Sequence, residues 1–174
     1  MRAIGKGSLA SILAVGLHGA RMILWVVLGV SAIGLILMPL IPLLVGVFTG
    51  FNGVNLNGKI EAAVDASDYL SWAHTFVTFA VMLFVANRLL EILKTLRFGS
   101  PFVSENADRF RALGYALLMG EGAKFAFGFL SLFYEADLNI NSSFMAWLAI
   151  VAVFVLAEVF REGARMKEEQ DLTV

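Results

Sequence analysis

The chain has 174 residues, 59% of them hydrophobic and only 16% charged, with a mean hydropathy of +0.82. Soluble domains carry about 45–50% apolar and about 25% charged residues, so an ordinary water-soluble globule is excluded, as are disordered, collagen-like and charge-rich nucleic-acid-binding classes. Zero Cys removes disulfide frameworks, Cys-ligated metals and thiol nucleophiles, and two His leave little for a metal centre.

A bilayer core of about 30 Å needs about 20 apolar residues in a helix. Residues 22–48 hold no ionisable side chain, Tyr69–Asn87 only His74, and Leu138–Ala157 none, while the window from Ala112 to Tyr134 is broken by Glu121 and Lys124. The expected fold class is all-α: an integral membrane four-helix bundle in one domain, 1–174, with spans at about 22–48, 69–96, 110–134 and 143–161.

In chain order, Arg2 and Lys6 precede an apolar run at Leu9–Leu17 that has the look of a signal peptide. Arg21 interrupts it before a long span, and no small-x-small pattern follows the apolar run, so no cleavage is expected. Leu9, Ile12, Leu13, Gly16 and Leu17 share one helical stripe, which predicts an amphipathic interfacial segment over 1–21. Pro39 and Pro42 in the outer half of the first span each remove a backbone donor and bend the helix. The loop at about 49–68 opens on Asn and Gly residues that favour turns, with a short helix expected near 59–67.

Between the second and third spans, Gly99 is read as a helix end, Pro101 forbids continuation, and Ser104 with Glu105 and Asp108 starts the next helix. Pro101 and Phe102 anchor this tight elbow. Ser142 or Ser143 is the expected cap of the fourth helix. Beyond it, Glu158 to Arg161, Glu162 to Arg165 and Arg165 to Glu169 alternate acid and base at helical spacing, so a solvated helical tail is expected over 162–174.

Eleven of the 13 Lys and Arg fall on one side of this alternation. The opposite loops hold Lys59 alone against Glu61, Asp65, Asp68, Glu135 and Asp137. Short loops retain positive charge in the cytoplasm, so both termini are expected inside. An odd number of spans would destroy the pattern.

Glu121 and Lys124 lie near the midplane of the third span, where each charge costs about 2.5–3.5 kcal/mol on the insertion scale. Gly114, Leu117, Glu121, Lys124, Gly128 and Ser131 form a stripe of mostly small and polar residues expected to face neighbouring helices, leaving Phe125, Phe129 and Phe133 towards lipid or a bulky partner surface. Arg88 and Glu91 on the second span and Glu158 on the fourth approach from the basic side, so Arg88, Glu91, Glu121, Lys124 and Glu158 are expected to form an intramembrane polar network in the inner half of the bundle. Structural glue and a functional proton, ion or ligand site are both open readings. His18 and His74 have no partner arranged for metal or acid-base work. No glycine-rich phosphate loop, H-E-x-x-H pair, G-x-S-x-G elbow or carboxylate dyad is present, so no enzyme, cofactor or metal is expected.

The elbow Phe98-Gly99-Ser100-Pro101-Phe102 with Glu105-Asn106-Ala107 and Arg109, together with Glu158-Val159-Phe160-Arg161-Glu162-Gly163-Ala164-Arg165 and the run Glu168–Val174, resembles a widespread bacterial family of small four-span membrane proteins, a domain of unknown function. The resemblance implies a multi-pass protein of the bacterial inner membrane, and a small helix-turn-helix regulator as a cytoplasmic partner. Pro101, Phe102, Asn106, Arg109, Arg161, Glu162, Arg165 and Glu168 are then candidates for one docking face. The functional expectation is a non-enzymatic protein that senses or regulates through such a partner, with no direct nucleic-acid contact. The alternative is a small, oligomeric transporter or channel-like protein using the intramembrane charges.

Overall fold

The structure, a computed structural model, describes residues 9–41, 47, 65–98, 101–138 and 140–172. They form four long helices: α1 (Leu9–Leu37), α2 (Ala66–Phe98), α3 (Ser104–Tyr134) and α4 (Phe144–Asp171). Lengths of 28 to 33 residues correspond to about 42–50 Å of rise, and all four are long and apolar enough to cross a membrane. Among the described residues there is no strand. The expected loop over 49–68 and the short helix near 59–67 lie almost wholly outside the described residues, as do Arg2, Lys6, Pro42 and Gly99.

The bundle is serial. α1 packs on α2, α2 on α3 and α3 on α4, and among the described residues no other pair of helices is in contact. Successive helices run in opposite directions: Val81 meets Gly120 while Thr95 meets Asn106, and Phe125 meets Trp147 while Phe110 meets Phe160. The first residues of α1 and the last of α4 therefore share one end with the elbow. This basic end carries Arg21, Arg88, Lys94, Arg109, Arg111, Arg161, Arg165 and Lys167.

Helices without a hydrophobic driving force between them associate through close packing, and here aromatic rings sit over glycines. A Cβ on Gly34 of α1 would lie 2.5 Å from Trp72 of α2, one on Gly114 of α3 2.9 Å from Phe154 of α4, and one on Gly163 of α4 2.6 Å from Phe102 of the elbow. Large apolar side chains point outward instead, among them Val15, Met22, Val26, Val30 and Ile36 on α1 and Phe125, Phe129 and Phe133 on α3. That is the distribution a lipid solvent permits.

Two details differ from the expectation. α1 runs unbroken through Arg21, so 9–21 continues the helix of the first span rather than forming a separate helix. Nothing in His18–Met22 breaks a helix, and the His18 ring Nδ1 donates back to the Ala14 carbonyl at 2.8 Å. α1 then stops at Leu37, a turn at Met38–Pro39 following, because a proline disfavours helical conformation in the residue before it. Ser104 starts α3 as expected, but as its first helical residue rather than as its cap, since the cap position is Val103, without a side-chain cap.

Candidate functional site

Glu121 is the centre of the midplane polar group. The α3 stripe turns it towards the neighbouring elements, leaving it 7% exposed. Lys124, one turn on, donates from Nζ to Glu121 Oε1 at 2.6 Å, and the Ser142 hydroxyl donates to Oε2 at 3.0 Å. Trp147 Nε1 donates in turn to Ser142 Oγ at 3.1 Å. Ser142 immediately precedes Ser143, whose Oγ accepts from Ala146 N–H at 3.2 Å and caps α4.

These bonds fix the depth at which α4 begins. α3 continues from Glu121 to Tyr134, a rise of about 20 Å, yet Ser142 bonds back to Glu121. The segment after Tyr134 therefore descends along α3, with Ile140 packed on Gly128. α4 starts at the level of the polar pair.

Beside the pair, a cavity of about 140 Å³ lies between α2 and α3, bordered by His74, Thr78, Glu121 and Lys124 on an apolar wall that includes Val81 and Leu117. The His74 ring meets Phe127 edge-on at 5.3 Å between centroids, and its Nε2 is buried without a hydrogen-bond partner among the described residues. His74, Ser142 and Trp147 were not among the network residues expected from sequence. The signal for His74 was its place as the only ionisable residue in an otherwise uncharged span; Ser142 and Trp147 carry no comparable signal, since their role depends on the descent of residues 135–143.

A second polar group ties the basic end together. Asn106, 0% exposed, donates from Nδ2 to Thr95 Oγ1 (2.8 Å) and to the Pro101 carbonyl (2.9 Å), and its Oδ1 accepts from Arg109 at 2.8 Å. Arg109 Nε lies 3.5 Å from Glu91 Oε2, to which Arg88 Nη1 also donates at 2.8 Å. The Arg88 guanidinium lies 4.9 Å from the centroid of the Phe84 ring. One carboxylate thus serves two guanidiniums from α2 and α3.

The five expected network residues consequently fall into three groups. Glu121 and Lys124 bond each other, Arg88 and Glu91 belong with Arg109 at the basic end, and Glu158 pairs with Arg161 on the exposed side of α4. Arg88 does not meet Glu121, since it lies about two turns nearer the basic end than Val81, the residue that packs at the level of Gly120.

Of the expected docking residues, Asn106 is fully buried and Arg109 half-buried, both engaged in holding the elbow against α2. Pro101 is half-buried and supplies the carbonyl that Asn106 binds. Phe102 lies over Gly163 and 5.5 Å from the Phe160 ring while remaining 44% exposed. Arg161, Glu162, Arg165 and Glu168 are exposed on α4, with Arg165 bonded to Glu162 at 2.8 Å and 3.4 Å from Glu169. The elbow and the end of α4 thus form one surface. Among the described residues, no group of three or more His, Asp or Glu side chains is placed to hold a metal ion.

Four antiparallel apolar helices with polar groups buried at spanning depth define a multi-pass α-helical membrane protein. The chain belongs to a family described as protein of unknown function, DUF2975, whose family model matches residues 58–174 and so covers α2, α3 and α4. No curated protein and no solved structure matches the chain.

Proposed function

We propose that the protein is a non-enzymatic, multi-pass protein of the bacterial inner membrane that docks a cytoplasmic protein partner on the surface made by the elbow and the end of α4, both termini being cytoplasmic. The observation that carries the reading is Phe102. A large ring held in place by Gly163 and Phe160, yet 44% exposed and bordered by the charged rows of α4, has the anatomy of an interface: an apolar anchor within a polar rim. A small helix-turn-helix regulator, implied by the resemblance of the elbow and tail, is the partner class that fits a regulatory role for such a surface.

The test is site-specific photocrosslinking in living bacteria from positions 102 and 165, with position 26 on the outward face of α1 as control. One cytoplasmic protein is expected as the dominant adduct from the first two positions and not from the third. Adducts only with lipid or with other membrane proteins overturn the reading.

A second reading is supported by the cavity beside Glu121. Its buried, unpartnered His74 Nε2 next to an ammonium and a carboxylate suits a small polar ligand or a proton, as a transporter or channel-like protein would require. Proton or solute flux in liposomes that Glu121→Gln abolishes, with the helices still folded, favours it over docking.

A further inference from the structure

At the basic end, α1 and α2 diverge around a cavity of about 600 Å³, within the range of sites that hold small ligands. His18 and Arg21 of α1 face Arg88 and Lys94 of α2 across it, and Ala14, Phe84, Leu90 and Leu93 contribute apolar walls. Three permanent cations thus border the space against one carboxylate, Glu91, and that carboxylate is already shared between Arg88 and Arg109. Among the described residues, Arg21 and Lys94 have no ion-pair partner. The lining combines an excess of positive charge with hydrocarbon, which is the complement of an anionic amphiphile.

Its depth identifies the amphiphile. Arg21 is the last charged residue of α1 before the uncharged stretch Met22–Leu37, and Lys94 lies beyond the uncharged part of α2, so the cations stand where the apolar span gives way to the charged end. Lipid phosphates occupy that level, and basic pockets between spanning helices are a recognised way to hold acidic headgroups. We infer that the cavity between α1 and α2 is a binding site for the headgroup of an anionic glycerophospholipid, with Arg21, Arg88 and Lys94 on the phosphate and Phe84, Leu90 and Leu93 against the first carbons of the lipid. The Phe84 ring and Glu91 hold the Arg88 guanidinium in place; the flexible Arg21 and Lys94 close on the headgroup from the two helices.

The test uses the full chain in nanodiscs of equimolar phosphatidylcholine and phosphatidylglycerol, with retained lipid counted by native mass spectrometry. Preferential retention of phosphatidylglycerol is expected. Arg21→Ala and Lys94→Ala should each lower that preference about fivefold. Arg21→Lys should restore it, and Arg111→Ala, which removes an exposed cation elsewhere on the same end, should leave it unchanged. Equal retention of the two lipids overturns the site, and so does an equal loss with Arg111→Ala, which would reduce it to general surface charge. Inorganic phosphate added to nanodiscs of phosphatidylcholine alone separates the remaining source: if phosphate raises the thermal midpoint as much as phosphatidylglycerol does, and Arg21→Ala abolishes the rise, the cavity serves a soluble phosphate and the lipid assignment is wrong.

Discussion

Removing Lys124 should cost more than removing Lys124 and Glu121 together. In the native protein the Glu121 side chain is 9% exposed, with the ammonium at 2.6 Å and the Ser142 hydroxyl at 3.0 Å from its carboxylate. At that separation and an effective dielectric near 20, the gross attraction is about 6 kcal/mol, most of which offsets the desolvation of the two ions. Lys124→Met removes the attraction and leaves a buried anion with one neutral donor, for an expected loss of about 3–5 kcal/mol. Glu121→Gln should cost less, because the Lys124 side chain is 30% exposed and its stem can redirect the ammonium. The double variant Glu121→Leu, Lys124→Met removes both desolvation costs and should return to within about 1 kcal/mol of the parent, as buried pairs replaced by apolar residues often do. Reversible unfolding in mixed micelles, followed by tryptophan fluorescence, measures all of the variants, and Trp147 reports on the site through its bond to Ser142. Additive single effects, or a Lys124→Met loss below about 1 kcal/mol, would refute the pairing argument.

Gly114→Ala forces a Cβ to within 2.9 Å of the Phe154 ring and should destabilise by about 1–3 kcal/mol, whereas Gly122→Ala meets open space and should gain up to about 1 kcal/mol from helix propensity; thermal unfolding in one detergent compares them. Asn106→Ala leaves Arg109 and the Pro101 carbonyl without their buried partner, so a loss of about 2–3 kcal/mol and faster protease cleavage within 99–103 are expected. With no native Cys, Ala66→Cys and Ser104→Cys provide a clean sidedness test: labelling from opposite faces of the membrane is expected, and labelling from the same face excludes the proposed topology.

The helices were legible because their determinants are local. Uncharged length, the Pro101 break and the alternating charges of the tail all act within one element, and the pairs Glu158–Arg161, Glu162–Arg165 and Arg165–Glu169 form as their spacing requires. The facing of α3 was legible for the same reason, since a stripe at three- and four-residue steps implies a buried side. What the sequence did not reveal depends on register between helices. Arg88 had two carboxylates within plausible reach, Glu91 on its own helix and Glu121 on the next, and only the offset of α2 against α3 decides for Glu91. Asn106 illustrates the same limit. As a polar residue at the start of a helix it belongs on the surface by type, and it is buried because Thr95 and Pro101 arrive from outside its own element to satisfy it.

The late start of α4 brings the midplane pair and the shape of the protein into one account. α4 is itself long and apolar enough to cross a membrane, but its uncharged part, Phe144–Ala157, rises only about 21 Å, and the uncharged residues just before it, 140–143, lie beside α3 at that depth without forming a helix. Non-helical backbone at that depth is tolerated only where it finds partners inside the protein. Here Ala136 N–H donates to the Ser131 carbonyl, Leu138 N–H to that of Ala136 and Ile140 N–H to that of Leu138, while the Ser142 hydroxyl reaches Glu121. The carboxylate that makes α3 costly to insert is thus the acceptor onto which the descending segment folds, and α3 and α4 each supply what the other lacks. Because the same carboxylate also borders the cavity containing His74, its role as an anchor and its availability to a ligand are not separate alternatives. A ligand that draws Glu121 away from Ser142 would leave that hydroxyl with only the bond from Trp147, just before the helix whose far end carries Phe160, Gly163 and the seat of Phe102.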